Sequence, residues 1–388
     1  MQAKKFVLNI SQNYSFAILR PLQEAIRNSN RDVYWFVQGS AVNLSYFTAD
    51  EKILKSVDDV IKYDPDAVIF PANIAPTFFP GINVAVFHGF DAGKVDKKGH
   101  NDHYKVRNCF DLYCTQGPDS TAQFQRLAEK HQTFKVIETG WCALDPLFTN
   151  NNVDKTVKST ILMCSTFSKQ LTCAPHLFET IKSLSETGKW NWLIQFHPKM
   201  DRSIVDKYKS IQNEHLSFVE TDDVIPLLKR ADIMVCDTSS VLIMFLLQGK
   251  PVVTFNNISP GDYLIDINSA DKLEESIEYA LQKPQCLMDN IQKYIDCTHP
   301  YMDGRSSYRL LDAIDKTIEE KSSLKPKPFD LFRQFKMRKK LKYWKLQSHA
   351  LKIMLLSDYN SPDKCVFLKY HKCILYFILR MKLVLLVP

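Results

Sequence analysis

Short apolar runs rich in Val, Ile and Phe recur along the chain, each followed by a polar stretch with helical spacing. In the first half they are KFVLNI (5–10), VYWFVQ (33–38), AVIF (67–70), NVAVFHG (83–89), LYCTQG (112–117) and FKVIETG (134–140). Between them stand segments such as FAILRPLQEAIRNS and DSTAQFQRLAEKH, whose apolar residues fall on one helix face. Strands that alternate with helices predict a mostly parallel sheet covered on both faces.

The pattern restarts after NNNVDKT (150–156), a polar, turn-rich break. TILMCST (160–166), NWLIQFHP (191–198), LSFVE (216–220), DIMVCDTSS (232–240) and PVVTFNN (251–257) form the second series. The expected architecture is α/β, with two doubly wound Rossmann-like domains, 1–152 and 153–322, facing a cleft. DGRSSYRLLDAIDKTIEEK (303–321) reads as the closing helix and SSLKPKP as a linker. A tail, 323–388, follows. Its segment 329–356 interleaves Phe, Leu, Met and Trp with Lys and Arg, the composition of an interfacial helix. The run CILYFILRMKLVLLVP carries Arg380 and Lys382 and reads as a second surface-lying element. The alternative is a helix pair packed on the body with its cations solvated.

Charge sharpens that division. The net charge of the 388 residues is +7, but residues 325–388 hold 15 Lys and Arg against 3 acids, leaving the rest at −5. A basic excess confined to the tail points to an anionic membrane surface as partner, and not to a nucleic-acid-binding core. The N-terminal MQAKKFVLNISQ enters a strand-like run directly, without the apolar core of a signal peptide. No segment offers about 18 uninterrupted apolar residues for a spanning helix. The 10 cysteines are scattered, without a CxxC pair. Such usage suits a reducing cytoplasm.

Candidate chemistry sits at strand ends. His88 and Gly89 end one apolar run, and Lys94 follows; His197, Pro198 and Lys199 end another. Carboxyl ends of strands in an open α/β sheet are where ligands bind. Each predicted domain therefore raises one imidazole toward the cleft, although either could be a hydrogen-bonded structural histidine. In ADIMVCDTSSVLIMFLLQGKPVVTF, a buried strand breaks at Asp237, Thr238, Ser239 and Ser240 before an apolar helix. Helix capping explains one such hydroxyl, whereas a phosphate site at the helix start uses several. The segment is neither a Walker loop nor GxGxxG, so ATP or NAD is not indicated. Arg305, in DGRSS, could reach a phosphate.

His100, His103, Cys109 and Cys114 invite a zinc reading, but H-x2-H-x5-C-x4-C matches no common finger. A basic loop over the cleft, with Lys94, His100 and His103, suits an anionic acceptor better.

Taken together, HG at 88–89 with Lys94, HP at 197–198, ADIMVCDTSS…GKPVV and DGRSSYRLLDAI resemble the CDP-glycerol:poly(glycerophosphate) glycerophosphotransferase family, whose enzymes build teichoic acids and related capsule or surface polymers. Thr238 stands where that family often has an aromatic residue, and Phe87 where it often has Trp. The resemblance implies a GT-B fold, a CDP-activated donor held mainly by the second domain, and attachment to the inner membrane face. It assigns His88 as general base on the acceptor hydroxyl and His197 to the donor pyrophosphate. Ser239 and Ser240 become helix-tip phosphate ligands, and Arg305 the closing arginine. Glycerol phosphate would pass to a hydroxyl of a membrane-linked or capsular polymer, releasing CMP, with no cofactor and no metal. The rival readings are a GT-B glycosyltransferase using a nucleotide-sugar and a non-catalytic membrane-peripheral scaffold.

Overall fold

A computed structural model of the protein describes residues 3–91, 99, 101–149, 157–221 and 223–345. It divides into two compact units, 1–334 and 335–388, and both sheets belong to the first. In the first sheet the strands are β1 (Lys5–Ile10), β2 (Asp32–Val37), β3 (Ile53–Leu54), β4 (Ala67–Phe70), β5 (Ile82–Ala85), β6 (Leu112–Thr115) and β7 (Lys135–Glu138). They run in the order β3-β2-β1-β4-β5-β6-β7, every pair parallel. Helices α1 (Ser15–Asn28), α2 (Val57–Tyr63), α3 (Pro118–His131) and α4 (Asp145–Phe148) accompany it.

The second sheet comprises β8 (Thr160–Ser165), β9 (Asn191–Phe196), β10 (Leu216–Phe218), β11 (Ile233–Cys236), β12 (Val252–Phe255) and β13 (Ile265–Ile267). Its order is β10-β9-β8-β11-β12-β13, again all parallel. Its helices are α5 (Ala174–Glu186), α6 (Arg202–Ser210), α7 (Ile225–Arg230), α8 (Val241–Leu246) and α9 (Leu273–Leu281). Reversal of strand order at the first strand of each sheet is the doubly wound arrangement, which leaves a crevice at the strand carboxyl ends. The fold is GT-B-like.

The central strands form where every position is buried. TILMCS in β8 and IMVC in β11 expose nothing, because helices cover both faces. Side chains still alternate. Leu162 and Cys164 join a core continuous with that of the first sheet, while Ile161 and Met163 enter a second core with α5. The two lobes thus share apolar packing.

After β13 the chain returns to the first sheet. Helix α10 (Gln285–Thr298) packs on α3, and α11 (Ser306–Glu319) packs on α1. The start of α11 is held by Asp145, whose carboxylate accepts from Ser306 N at 2.8 Å and Ser307 N at 2.7 Å. SSLKPKP is strapped to the body: Lys325 N donates to Gln132 O at 2.9 Å, and Lys327 pairs with Asp111.

Helix α12 (Leu331–Leu341) begins the basic tail. In the second unit, the Phe335 and Trp344 rings lie 5.5 Å apart, and Arg338 donates to Lys345 O at 2.9 Å. The remainder of the expected tail helices, from 346 on, lies outside the described residues. Among the described residues, no helix is long and apolar enough to cross a membrane.

Candidate active site

A cleft of about 490 Å³ opens between the lobes. Its walls are built from strand carboxyl ends: Phe90 and Asp91 after β5, Gln116 and Asp119 after β6, Thr238 to Ser240 after β11, and Asn257 after β12. Parallel strands bring these loops to one edge of each sheet.

β5 ends at Ala85, earlier than its apolar run suggests. Val86 still donates to Phe70 O at 3.0 Å, and then Phe87 takes φ 58°. A left-handed conformation is costly for an aromatic residue and marks a turn that the surroundings enforce. Phe87 sits in a ring cluster with His103, Tyr113 and Phe124, while Trp141 Nε1 donates to its carbonyl at 3.4 Å. The turn leaves His88 exposed, with Nδ1 3.2 Å from Pro71 O. A carbonyl only accepts, so this contact places the proton on Nδ1 and the lone pair on Nε2.

His197 has the opposite polarity. It stands exposed beyond β9, and its Nδ1 accepts from Lys199 N at 3.0 Å. The neutral ring must then carry its proton on Nε2. Partial burial first, and Lys199 second, push its pKa down, which favours that neutral form. Phe167 packs on the imidazole with ring centres 4.5 Å apart, and Lys199 Nζ lies 5.8 Å from the Phe167 ring. His197 and Lys199 are outside the cleft lining; β8 separates their strand from β11.

Thr238, Ser239 and Ser240 do line the cleft. Ser240 makes no side-chain cap bond to α8, so plain capping does not account for it. Thr238 Oγ1 accepts from Ile258 N at 3.1 Å. Asp237 turns the other way. Its buried carboxylate accepts from Ser165 Oγ at 2.5 Å, from Thr166 N at 3.0 Å and from Cys173 N at 3.1 Å. It pins the β8–α5 loop and lies outside the cleft lining, apart from the hydroxyls with which it was expected to hold a phosphate. Burial raises its pKa despite those bonds.

His103 also departs from expectation. It stacks on Phe87 at 5.1 Å and 15°, its Nε2 buried without a partner, and burial pushes its pKa down. It belongs to the wall beneath the β5 turn and not to the cleft lining. Gly89 has open space around its Cα. Arg305 is exposed, 5.8 Å over the Tyr308 ring and outside the lining. Arg309 carries the contacts of that segment instead: it pairs with Asp303 at 2.8 Å and donates to Thr139 O at 2.9 Å. Lys94 and His100 lie outside the described residues.

Sequence reading passed over one further strand-tip residue on each wall. Gln116 and Asn257 follow strands in LYCTQGPDS and PVVTFNN, and position at a strand tip was the one signal pointing to them. It also passed over His299, between α10 and α11. Wholly buried, His299 accepts from Trp141 N at 2.9 Å through Nε2 and leaves Nδ1 unpartnered. Burial drives its pKa to about 4, so it is neutral.

Two parallel sheets, a crevice at their carboxyl edges and polar residues from both lobes define an α/β protein of GT-B-like fold. The family model of CDP-glycerol:poly(glycerophosphate) glycerophosphotransferases matches residues 88–316, and the chain belongs to that family of enzymes. A search of curated proteins returned no match. Among solved structures, the wall teichoic acid polymerase TagF is similar over 82% of this chain and 90% of its own, at 14% identity and TM-score 0.60. A complex of S. aureus MnaA with UDP is similar over 84% and 100%, at 15% identity and TM-score 0.59. A variant of TagF soaked with CDPG reaches 13% identity and TM-score 0.58, over 82% and 89%. These likenesses are likenesses of fold.

Proposed function

We propose that the protein transfers glycerol phosphate from CDP-glycerol to a hydroxyl of a teichoic-acid-type or capsular polymer, releasing CMP. The observation that carries this reading is the opposite polarity of the two strand-tip imidazoles. The acceptor hydroxyl gives its proton to His88 Nε2 while its oxygen bonds to the β-phosphorus. The bond from that phosphorus to the bridging oxygen breaks, and the electron pair leaves with CMP. His197 Nε2–H and the Lys199 ammonium meet the charge that gathers on the leaving phosphate; Ser239 and Ser240 hold the non-bridging oxygens from the cleft. Preorganised donors of this kind usually supply a large share of the rate enhancement, because they need no reorganisation as the charge develops. In this reading no divalent metal takes part, and a chelator leaves the rate unchanged.

The test is incubation with CDP-glycerol, CDP-ribitol, UDP-sugars and CMP-sugars in turn, following nucleotide release. CMP from CDP-glycerol supports the reading; release only from a nucleotide-sugar replaces it with a glycosyltransferase. His88→Ala should lower turnover about 10²–10⁴-fold with CDP affinity nearly unchanged. Equal loss of both would remove its role as base.

The tail is proposed to hold the enzyme on the anionic inner face of the membrane. Phe329 and Phe332, each 67% exposed, precede Arg333 at its start, pairing apolar anchors with a cation. Deleting 325–388 should abolish flotation with anionic liposomes, and an unchanged bound fraction refutes it.

A further inference from the structure

The first-lobe wall of the cleft has a chemistry unlike a phosphate site. The described lining residues include two carboxylates, Asp91 and Asp119, and no lysine, arginine or histidine. An anion placed against them would meet like charge. Hydroxyls would not, because a carboxylate only accepts hydrogen bonds and an alcohol donates them. Tyr104 and Tyr263 add ring faces to the same cavity. Tyr263 is stacked on Tyr294 with ring centres 4.2 Å apart, a fixed platform for the carbon faces of a polyol or sugar.

Gln116 gives the wall a second, independent mark. It is 1% exposed, it lines the cleft, and its Nε2 has no protein partner. A buried donor left unmet is costly, and such groups are found where a ligand completes them. The turn that carries it is rigid. Gln116 N and Gly117 N both donate to Ser120 Oγ, at 3.2 and 3.3 Å, and Thr121 Oγ1 donates to Gly117 O at 2.8 Å. Behind it Gly117 abuts Thr298, so closely that a Cβ there would stand 2.3 Å from the Thr298 carbonyl oxygen.

We propose that Gln116, with Asp91 and Asp119, is a recognition site for an uncharged polyhydroxyl end group, the polyol or sugar terminus of the acceptor. The phosphates of donor and acceptor lie away from this wall. The name acceptor rests on the transferase reading; the binding chemistry does not.

The test therefore uses binding without turnover. Saturation-transfer NMR on the full chain compares glycerol and methyl glucoside, the neutral probes, with glycerol phosphate, the charged one. The neutral probes should bind, and glycerol phosphate should bind about tenfold more weakly or worse. Gln116→Leu should weaken the neutral probes by a similar factor and leave CDP binding unchanged. Asp119→Asn, on an exposed helix start, carries the same test should the buried substitution impair folding. Preference for the charged probe overturns the proposal. So does a Gln116→Leu protein that is more heat-stable with unaltered probe binding, the mark of an idle buried amide. A protein that binds neutral probes but releases no CMP from CDP-glycerol keeps this inference and loses the reaction.

Discussion

His197 gains its direction from a single aromatic neighbour. Phe167 packs on one side of the imidazole, and Lys199 both donates to Nδ1 and lies across the same Phe ring. Removing the ring would rehydrate the histidine, and partial burial is the first cause of its lowered pKa. Phe167→Ala should therefore raise the His197 pKa, read by NMR titration of the ring protons. The acid limb of the pH–rate profile should move to higher pH with it, because protonation at Nδ1 breaks the Lys199 bond. Phe167→Tyr should restore both, and an unmoved titration with reduced turnover would make Phe167 merely structural. The sequence revealed His197 and His88 because an apolar run that stops at an imidazole is visible as text. It could not reveal Phe167, a lone aromatic in a polar loop, nor the inward turn of Asp237. Periodicity says where a strand ends, not which way its next carboxylate points.

At the level of elements, the long strands were legible because burial on both faces requires unbroken apolar residues. β3, with two residues, and β13, with three, were not, since so short a run has no period to read. The closing helix was legible, but its anchor was not: Asp145 lies 161 residues from Ser306. Its carboxylate takes the first two free N–H groups of α11, as a cap residue would, although it comes from the other end of the fold. Asp145→Ala leaves two buried donors unmet and should cost about 2 kcal/mol, measured by urea unfolding. Asp145→Asn, which keeps one acceptor, should lose less. Equal stability of all three proteins would show that α11 is held by its apolar face alone.

Across the whole first unit, the stretch where the chain returns from the second sheet to the first is buried and tightly closed. His299 is its titratable member. Its folded pKa of about 4 lies below the ordinary 6.5, so between these values the unfolded chain binds a proton that the folded one refuses. Stability from this group is complete above pH 6.5 and is lost as the pH falls toward 4, about 3 kcal/mol in all. His299→Gln keeps an acceptor for Trp141 N and should flatten that acid slope in thermal melts; a slope unchanged from wild type refutes the assignment. Gly117 is the steric member. Its extended backbone suits any residue, so Gly117→Ala tests contact alone: the new Cβ would stand 2.3 Å from Thr298 O, and α10 must shift on α3. Gln116 and Thr298 both line the cleft, so parting them by about 1 Å misplaces the groups that face the reaction, a displacement able to cost about 10²-fold in rate. CDP should still bind, since its proposed contacts lie on the second lobe. A Gly117→Ala enzyme with full turnover would mean that the seating of α10 on α3 does not set the cleft.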